Sequence, residues 1–172
     1  MSLVIVETTT DRPITAEMLG DTRVLACLEA RNGKWRYSLL SADRQRMICT
    51  FDAPDAESVR GSYRKVGTQF DRMWTAEMRT PEAGEPQWNE ATLTVFEATY
   101  PQLTEDEWNE TNRDILAWYA EHGVEWVRSY VSVDGTRAIS ELNAPDAELI
   151  REAYGKFGLA GDRVWRAEVL KP

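Results

Sequence analysis

The stretch Trp35–Met78, WRYSLLSADRQRMICTFDAPDAESVRGSYRKVGTQFDRMWTAEM, returns without a gap as Trp126–Val169, WVRSYVSVDGTRAISELNAPDAELIREAYGKFGLAGDRVWRAEV. The offset is a constant 91, and 20 of the 44 aligned pairs are identical. The best-matched words are Ala53-Pro54-Asp55-Ala56-Glu57 against Ala144-Pro145-Asp146-Ala147-Glu148, and Asp71-Arg72-x-Trp74-x-Ala76-Glu77 against Asp162-Arg163-x-Trp165-x-Ala167-Glu168. Upstream, Glu7-x-Thr9 is echoed by Glu97-x-Thr99 at an offset of 90. The chain therefore reads as two copies of one small fold, with a period too long and a copy number too low for a solenoid.

Each copy parses in the same order. Leu3–Thr9 and Leu93–Thr99 are rich in β-formers. A helix follows; in copy two it opens with a capping box, Thr104-Glu105-Asp106-Glu107. Trp108, Ile115, Trp118 and Tyr119 then recur at helical spacing, and His122-Gly123 closes it. Copy one predicts a weaker helix from near Thr15, with Met18, Leu25 and Leu28 on its apolar side, ending at Asn32-Gly33. Two strands come next, Trp35–Ser41 and Arg46–Asp52, joined by Ala42-Asp43-Arg44-Gln45. Their counterparts, Trp126–Val133 and Arg137–Leu142, turn around Asp134-Gly135. A second helix is expected to begin at Pro54 or Pro145 and to end at Gly67 or Gly158. The last strands are Arg72–Met78 and Arg163–Leu170.

The order β-α-β-β-α-β predicts an α+β fold of two ferredoxin-like units. The units are residues 1–79 and 91–172, with a linker over 80–90 that carries Pro81, Gly84 and Pro86. A ferredoxin-like sheet leaves one face free of helices. The two copies are expected to cover each other's open faces as a pseudo-dimer resembling a dimeric α+β barrel. The chain would then be a monomer with internal pseudo-two-fold symmetry.

Net charge is −9, unevenly divided. Residues 1–80 carry 12 Lys/Arg and 11 Asp/Glu, leaving 8 and 18 for the rest. An acidic surface repels phosphate backbones, so nucleic acid is not an expected partner. Cys27 and Cys49 have no counterparts in the second copy and form no disulfide framework, which suits a reducing compartment. With no signal-like start and no run of membrane-spanning length, the sequence reads as a soluble cytoplasmic protein.

At the Ala-Pro-Asp-Ala-Glu and Gly-Leu-Ala-Gly-Asp-Arg-Val words, and at Trp126-Val127-Arg128-Ser129-Tyr130-Val131, the chain resembles the DUF4242 family. These are small proteins of the nickel-binding SCO4226-like type, usually single ferredoxin-like domains that pair as dimers. The resemblance implies metal binding. A His of the family falls on Arg128 and Tyr37, a second on Ser62 and Ala153, and a Cys is kept as Cys49 with Ser140 in the partner slot. Nickel and its neighbours favour imidazole and thiolate ligands. The expectation is therefore no metal site and no cofactor.

Three pairs of charged residues recur in both copies: Glu7/Glu97, Arg46/Arg137 and Glu77/Glu168. In a ferredoxin-like sheet the first strand lies between the third and fourth, so these groups can meet as Glu–Arg–Glu clusters if they share a face. They are the candidate ligand-binding residues, read also as ion pairs that set how the copies dock. His122, the only histidine, reads as a helix cap. The tryptophans Trp35/Trp126 and Trp74/Trp165 read as core or interface anchors. Trp88, Trp108 and Trp118 lack such partners. No phosphate loop, Ser-His-Asp set or Cys-x-x-Cys is present, and no catalytic residue is assigned. The leading expectation is a non-enzymatic module that binds a small molecule or a protein. The alternatives are a cofactor-independent monooxygenase or isomerase with a polar pocket between the sheets, and residual nickel or other transition-metal binding.

Overall fold

The computed structural model describes residues 1–158 and 161–172. Leu159 and Ala160, within the Gly-Leu-Ala-Gly-Asp-Arg-Val word, lie outside the described residues. The chain divides into two compact units, Met1–Ala76 with Glu168–Pro172, and Glu77–Ala167.

The first unit contains β1 (Ser2–Thr9), α1 (Ala16–Leu19), α2 (Arg23–Glu29), β2 (Lys34–Ser41), β3 (Arg46–Ala53), α3 (Ala56–Val66) and most of β4 (Arg72–Arg79). β1 pairs antiparallel with both β3 and β4, and β2 pairs antiparallel with β3. The strand order is therefore β4-β1-β3-β2. Because side chains alternate across a strand, Val4, Val6, Cys49 and Phe51 face α2 and α3 and pack with Leu28, Val59 and Tyr63. Ile5, Ile48, Thr50 and Tyr37 take the opposite, helix-free face, and each is also buried.

The second unit repeats the plan with β5 (Leu93–Thr99), α4 (Glu105–Glu121), β6 (Glu125–Ser132), β7 (Arg137–Asn143), α5 (Ala147–Lys156) and most of β8 (Gly161–Leu170). Its antiparallel order is β8-β5-β7-β6. Phe96, Leu142, Ile115, Trp118, Tyr119 and Ile150 form the core on the helix side. A register shift between Trp126 and Arg128 repeats the one between Trp35 and Tyr37. Such a bulge re-aims side chains. It keeps Trp126 and Ser129 toward the helices while Arg128 turns to the other face.

The capping box of α4 is present, and Trp108, Ile115, Trp118 and Tyr119 are its buried stripe. Three local expectations are corrected. The first helix of copy one is two short pieces, because Gly20-Asp21-Thr22 interrupts it and Asp21 Oδ1 accepts the Arg23 N–H at 3.1 Å. Met18 is consequently 55 % exposed instead of part of a stripe. The second helices start two residues after the prolines, at Ala56 and Ala147: Asp55 and Asp146 are the N-caps, accepting the N–H of Ser58 and Glu148. A carboxylate there satisfies a free N–H and complements the helix dipole, which proline cannot do. Finally, Gly67 caps α3 at φ 80°, whereas α5 is capped by Phe157, with Gly158 one residue further on.

No helix among the described residues is long and apolar enough to cross a membrane.

Candidate functional site

The repeated charges form two equivalent clusters, but not with the predicted membership. Glu7 and Thr9 share a face of β1, and β3 sets Arg46 opposite Thr9. Arg46 Nη2 donates to Glu7 Oε1 at 2.5 Å and Nη1 to Thr9 Oγ1 at 2.9 Å. Trp74 on β4 donates its indole N–H to Glu7 Oε2 at 2.6 Å. In the second unit Arg137 Nη2 donates to Glu97 Oε1 at 2.6 Å and Trp165 Nε1 to Glu97 Oε2 at 2.7 Å. Asp162 accepts from Arg137 Nη1 at 2.7 Å, and Asp71 lies 3.6 Å from Arg46. Glu7 and Glu97 are 1 % and 0 % exposed, so both carboxylates are fully desolvated.

Glu77 and Glu168 are not in these clusters. Trp74 pairs with Ile5 and Trp165 with Val95, which puts both indoles on the glutamates' face. Glu77 and Glu168 lie three residues further along their strands, an odd number, and so turn the other way. Both are exposed, and Glu77 pairs with Arg79 at 2.7 Å. The place expected for a second glutamate is thus taken by a tryptophan. The repeated Asp-Arg-x-Trp words carried that signal, but an indole N–H is less conspicuous in a sequence than a second carboxylate.

A different charged group breaks the repeat. Where copy one has Tyr37 and Thr50, copy two has Arg128 and Glu141, which are register partners on β6 and β7. Glu141 is fully buried, and Arg128 Nε lies 3.5 Å from its Oε2. Trp88, from the segment before β5, donates its indole N–H to Glu141 Oε2 at 2.8 Å. Its ring lies 4.8 Å from the Arg128 guanidinium carbon, a cation–π contact. Glu85 Oε2 approaches Arg128 Nη2 to 2.8 Å. This constellation was not foreseen as a site; its signal is that two adjacent register positions change together from neutral to charged in one copy only.

The donors do not fit a nickel-type ion. Arg128 and Ser140 point to opposite faces of the sheet, since Ser140 adjoins Glu141 on β7 and pairs with Ser129 at 2.6 Å. Ala153 offers no ligand atom. Cys49 accepts the Ser38 hydroxyl at 2.9 Å, and burial pushes its thiol up to about 11, so it stays protonated. Among the described residues no three of His, Cys, Asp and Glu gather as a metal site requires. His122 Nδ1 lies 2.8 Å from the Trp118 carbonyl, and its ring stacks on Trp118 at 3.7 Å.

Under α4, Trp108, Tyr119, Trp126, Ser129 and Ser140 line a cavity of about 10 Å³. That volume is room for one water molecule and excludes an organic ligand. Trp108 Nε1 and Tyr119 Oη are buried there without a hydrogen-bond partner among the described residues.

The two thiols should behave oppositely. A hydrogen bond with Ser62 and the nearby Arg31 guanidinium hold the Cys27 thiol below its ordinary pKa, whereas Cys49 is buried and raised. Iodoacetamide at neutral pH should label Cys27 at least about tenfold faster than Cys49, with the Cys27 rate rising at lower pH than a free thiol's. Peptide mass spectrometry checks this, and comparable labelling of both would contradict it.

A sequence model described as "Nickel responsive protein SCO4226-like" matches residues 4–75 and again 95–166. No curated protein matches the sequence. Among solved structures, an anthrone oxidase-like protein is 15 % identical with a TM-score of 0.51, over 99 % of this chain and 90 % of that one. The siroheme decarboxylase NirDL is 10 % identical with a TM-score of 0.55, over 99 % and 72 %. A chlorite dismutase-like protein is 9 % identical with a TM-score of 0.50, over 99 % and 94 %. At such identities the likeness concerns the fold alone.

Proposed function

The chain belongs to the SCO4226-like nickel responsive protein family, and from that premise we propose that it is a non-enzymatic binding module that has exchanged a metal for a small organic ligand. The observation that carries this reading is Arg128. At the position where the family resemblance implies a histidine stands a cation, held between Glu141 and Glu85. A guanidinium has no lone pair with which to ligate a metal ion, and its contact with Glu85 is one that an anion can take. In this reading the buried clusters around Glu7 and Arg46, and Glu97 and Arg137, brace the architecture, because both oxygens of each glutamate are already engaged. Glu77 and Glu168 stay outside the ligand site.

The β4-β1-β3-β2 order of the first unit and its repetition in the second support two ferredoxin-like units over 1–79 and 91–172. We place them in one chain as the fused counterpart of a homodimer, working in the cytoplasm with its two cysteines free. The acidic balance argues against a nucleic-acid partner.

Both claims meet in one experiment. Protein equilibrated with nickel, zinc or copper and passed over a sizing column with light scattering should run at one chain mass without stoichiometric metal. Tight one-to-one uptake of any of the three ions would overturn the exchanged-site reading, and twice the chain mass would overturn the pseudo-dimer.

A second reading, a cofactor-independent monooxygenase or isomerase, is favoured by the fully buried carboxylate of Glu141 beside an arginine and an indole. It requires that an organic molecule bound at Arg128 be chemically altered. Recovery of such a molecule unchanged after prolonged incubation in air counts against it.

A further inference from the structure

Resting on the ligand-binding reading above, we propose that Arg128 is the anion seat of a site for an aryl carboxylate, and that the side chains of Glu85 and Trp88 are an internal occupant which such a ligand displaces. Two residues three apart, on a segment outside any helix or strand, offer Arg128 the two halves of that chemistry. Glu85 supplies the carboxylate, 2.8 Å from Nη2. Trp88 supplies the ring, 4.8 Å from the guanidinium carbon.

The two carboxylates around Arg128 differ in how they are held. Glu141 is anchored in β7 and its side chain is 0 % exposed, so it stays beside Arg128 Nε. Glu85 is 33 % exposed and sits between Gly84, whose φ is 98°, and Pro86. The segment is clipped down chiefly by Asn143, which donates to the Gln87 carbonyl at 2.9 Å and accepts the Asn89 N–H at 2.8 Å. These bonds hold the backbone at Gln87 and Asn89 and do not involve the side chains of Glu85 or Trp88, so the Glu85 carboxylate can swing to water and the Trp88 indole can leave Arg128 and Glu141 while the backbone stays attached. An incoming carboxylate then takes the Nη2 contact that Glu85 gives up, and its ring takes the place of the Trp88 indole on the guanidinium face and beside Glu141. Copy one carries Tyr37 and Thr50 at the equivalent positions and has no such seat, so the stoichiometry is one ligand per chain.

An internal competitor lowers apparent affinity by the fraction of time it vacates the site. Removing its charge should therefore tighten binding. The probe is indole-3-acetate, titrated calorimetrically into the full-length protein, with acetate and indole as the separated halves. Glu85→Gln should bind indole-3-acetate about tenfold or more tighter than the wild type, and neither half alone should show saturable binding. Glu82→Gln removes the same charge from the same segment without touching Arg128, and it should match the wild type. The proposal is overturned if Glu85→Gln shows no gain or no saturable binding, or if Glu82→Gln gains equally. Nickel uptake by these samples is read separately: it would sink the exchanged-site reading, while the comparison of Glu85→Gln with Glu82→Gln would still decide whether Glu85 competes for Arg128.

Discussion

Arg137→Met should lower stability by about 3–5 kcal/mol, the usual cost of removing one partner of a buried ion pair. Glu97 is 0 % exposed, and its two oxygens are held by Arg137 at 2.6 Å and Trp165 at 2.7 Å. Without the guanidinium, a desolvated carboxylate loses the positive charge that balances it. Asp162, 43 % exposed, returns to water at little cost. The double variant Glu97→Gln/Arg137→Met should recover most of the loss, because a neutral amide in an apolar setting carries no uncompensated charge. Arg151→Met provides the comparison: its pair with Glu148 is 46 % and 59 % exposed, and such pairs contribute about 0–1 kcal/mol. Urea unfolding midpoints check the series. Equal midpoints for Arg137→Met and Arg151→Met would show that burial of the pair has no energetic consequence.

Gly135→Ala should be nearly as damaging, and far worse than Gly67→Ala, although both glycines adopt left-handed backbone, at φ 72° and 80°. A side chain in that region costs about 1–2 kcal/mol. At Gly67 a Cβ would meet nothing within 4 Å, so the backbone term stands alone. At Gly135 the Cβ would lie 2.1 Å from the backbone oxygen of Leu103, which cannot rotate away as a side chain would. Overpacking of that kind adds about 1–3 kcal/mol, for a total of roughly 2–5 kcal/mol. Thermal unfolding of the two variants, measured side by side, tests the difference. Indistinguishable transitions would mean that the loop ahead of α4 yields freely.

Several features were legible because they depend on near neighbours in the chain. The 91-residue offset carries the element order of one copy onto the other. The α4 capping box and the turn at Asp134-Gly135 are likewise short-range chemistry, written within four residues. Even the pairing of Glu7 with Arg46 and of Glu97 with Arg137 could be anticipated, once strand order placed β1 beside β3 and β5 beside β7.

Other features waited for three dimensions. Whether Glu77 joins Glu7 depends on strand parity, and a shift of one residue reverses the face on which a side chain lies. Trp74 and Trp165 therefore took the places assigned to carboxylates. Asp55 and Asp146 displaced Pro54 and Pro145 as helix starts because a side-chain oxygen can reach back to a free N–H. The Arg128 constellation is the clearest case. Glu85 and Trp88 lie some forty residues before Arg128 in the chain, so no spacing rule links them. The repeat itself determined that this chain holds two copies of one α+β unit with the same charged residues on matching strands. The place where the copies differ chemically was decided by tertiary structure, because a bulge on β6 turned Arg128 toward Glu141 and a segment outside the regular elements came to lie against it.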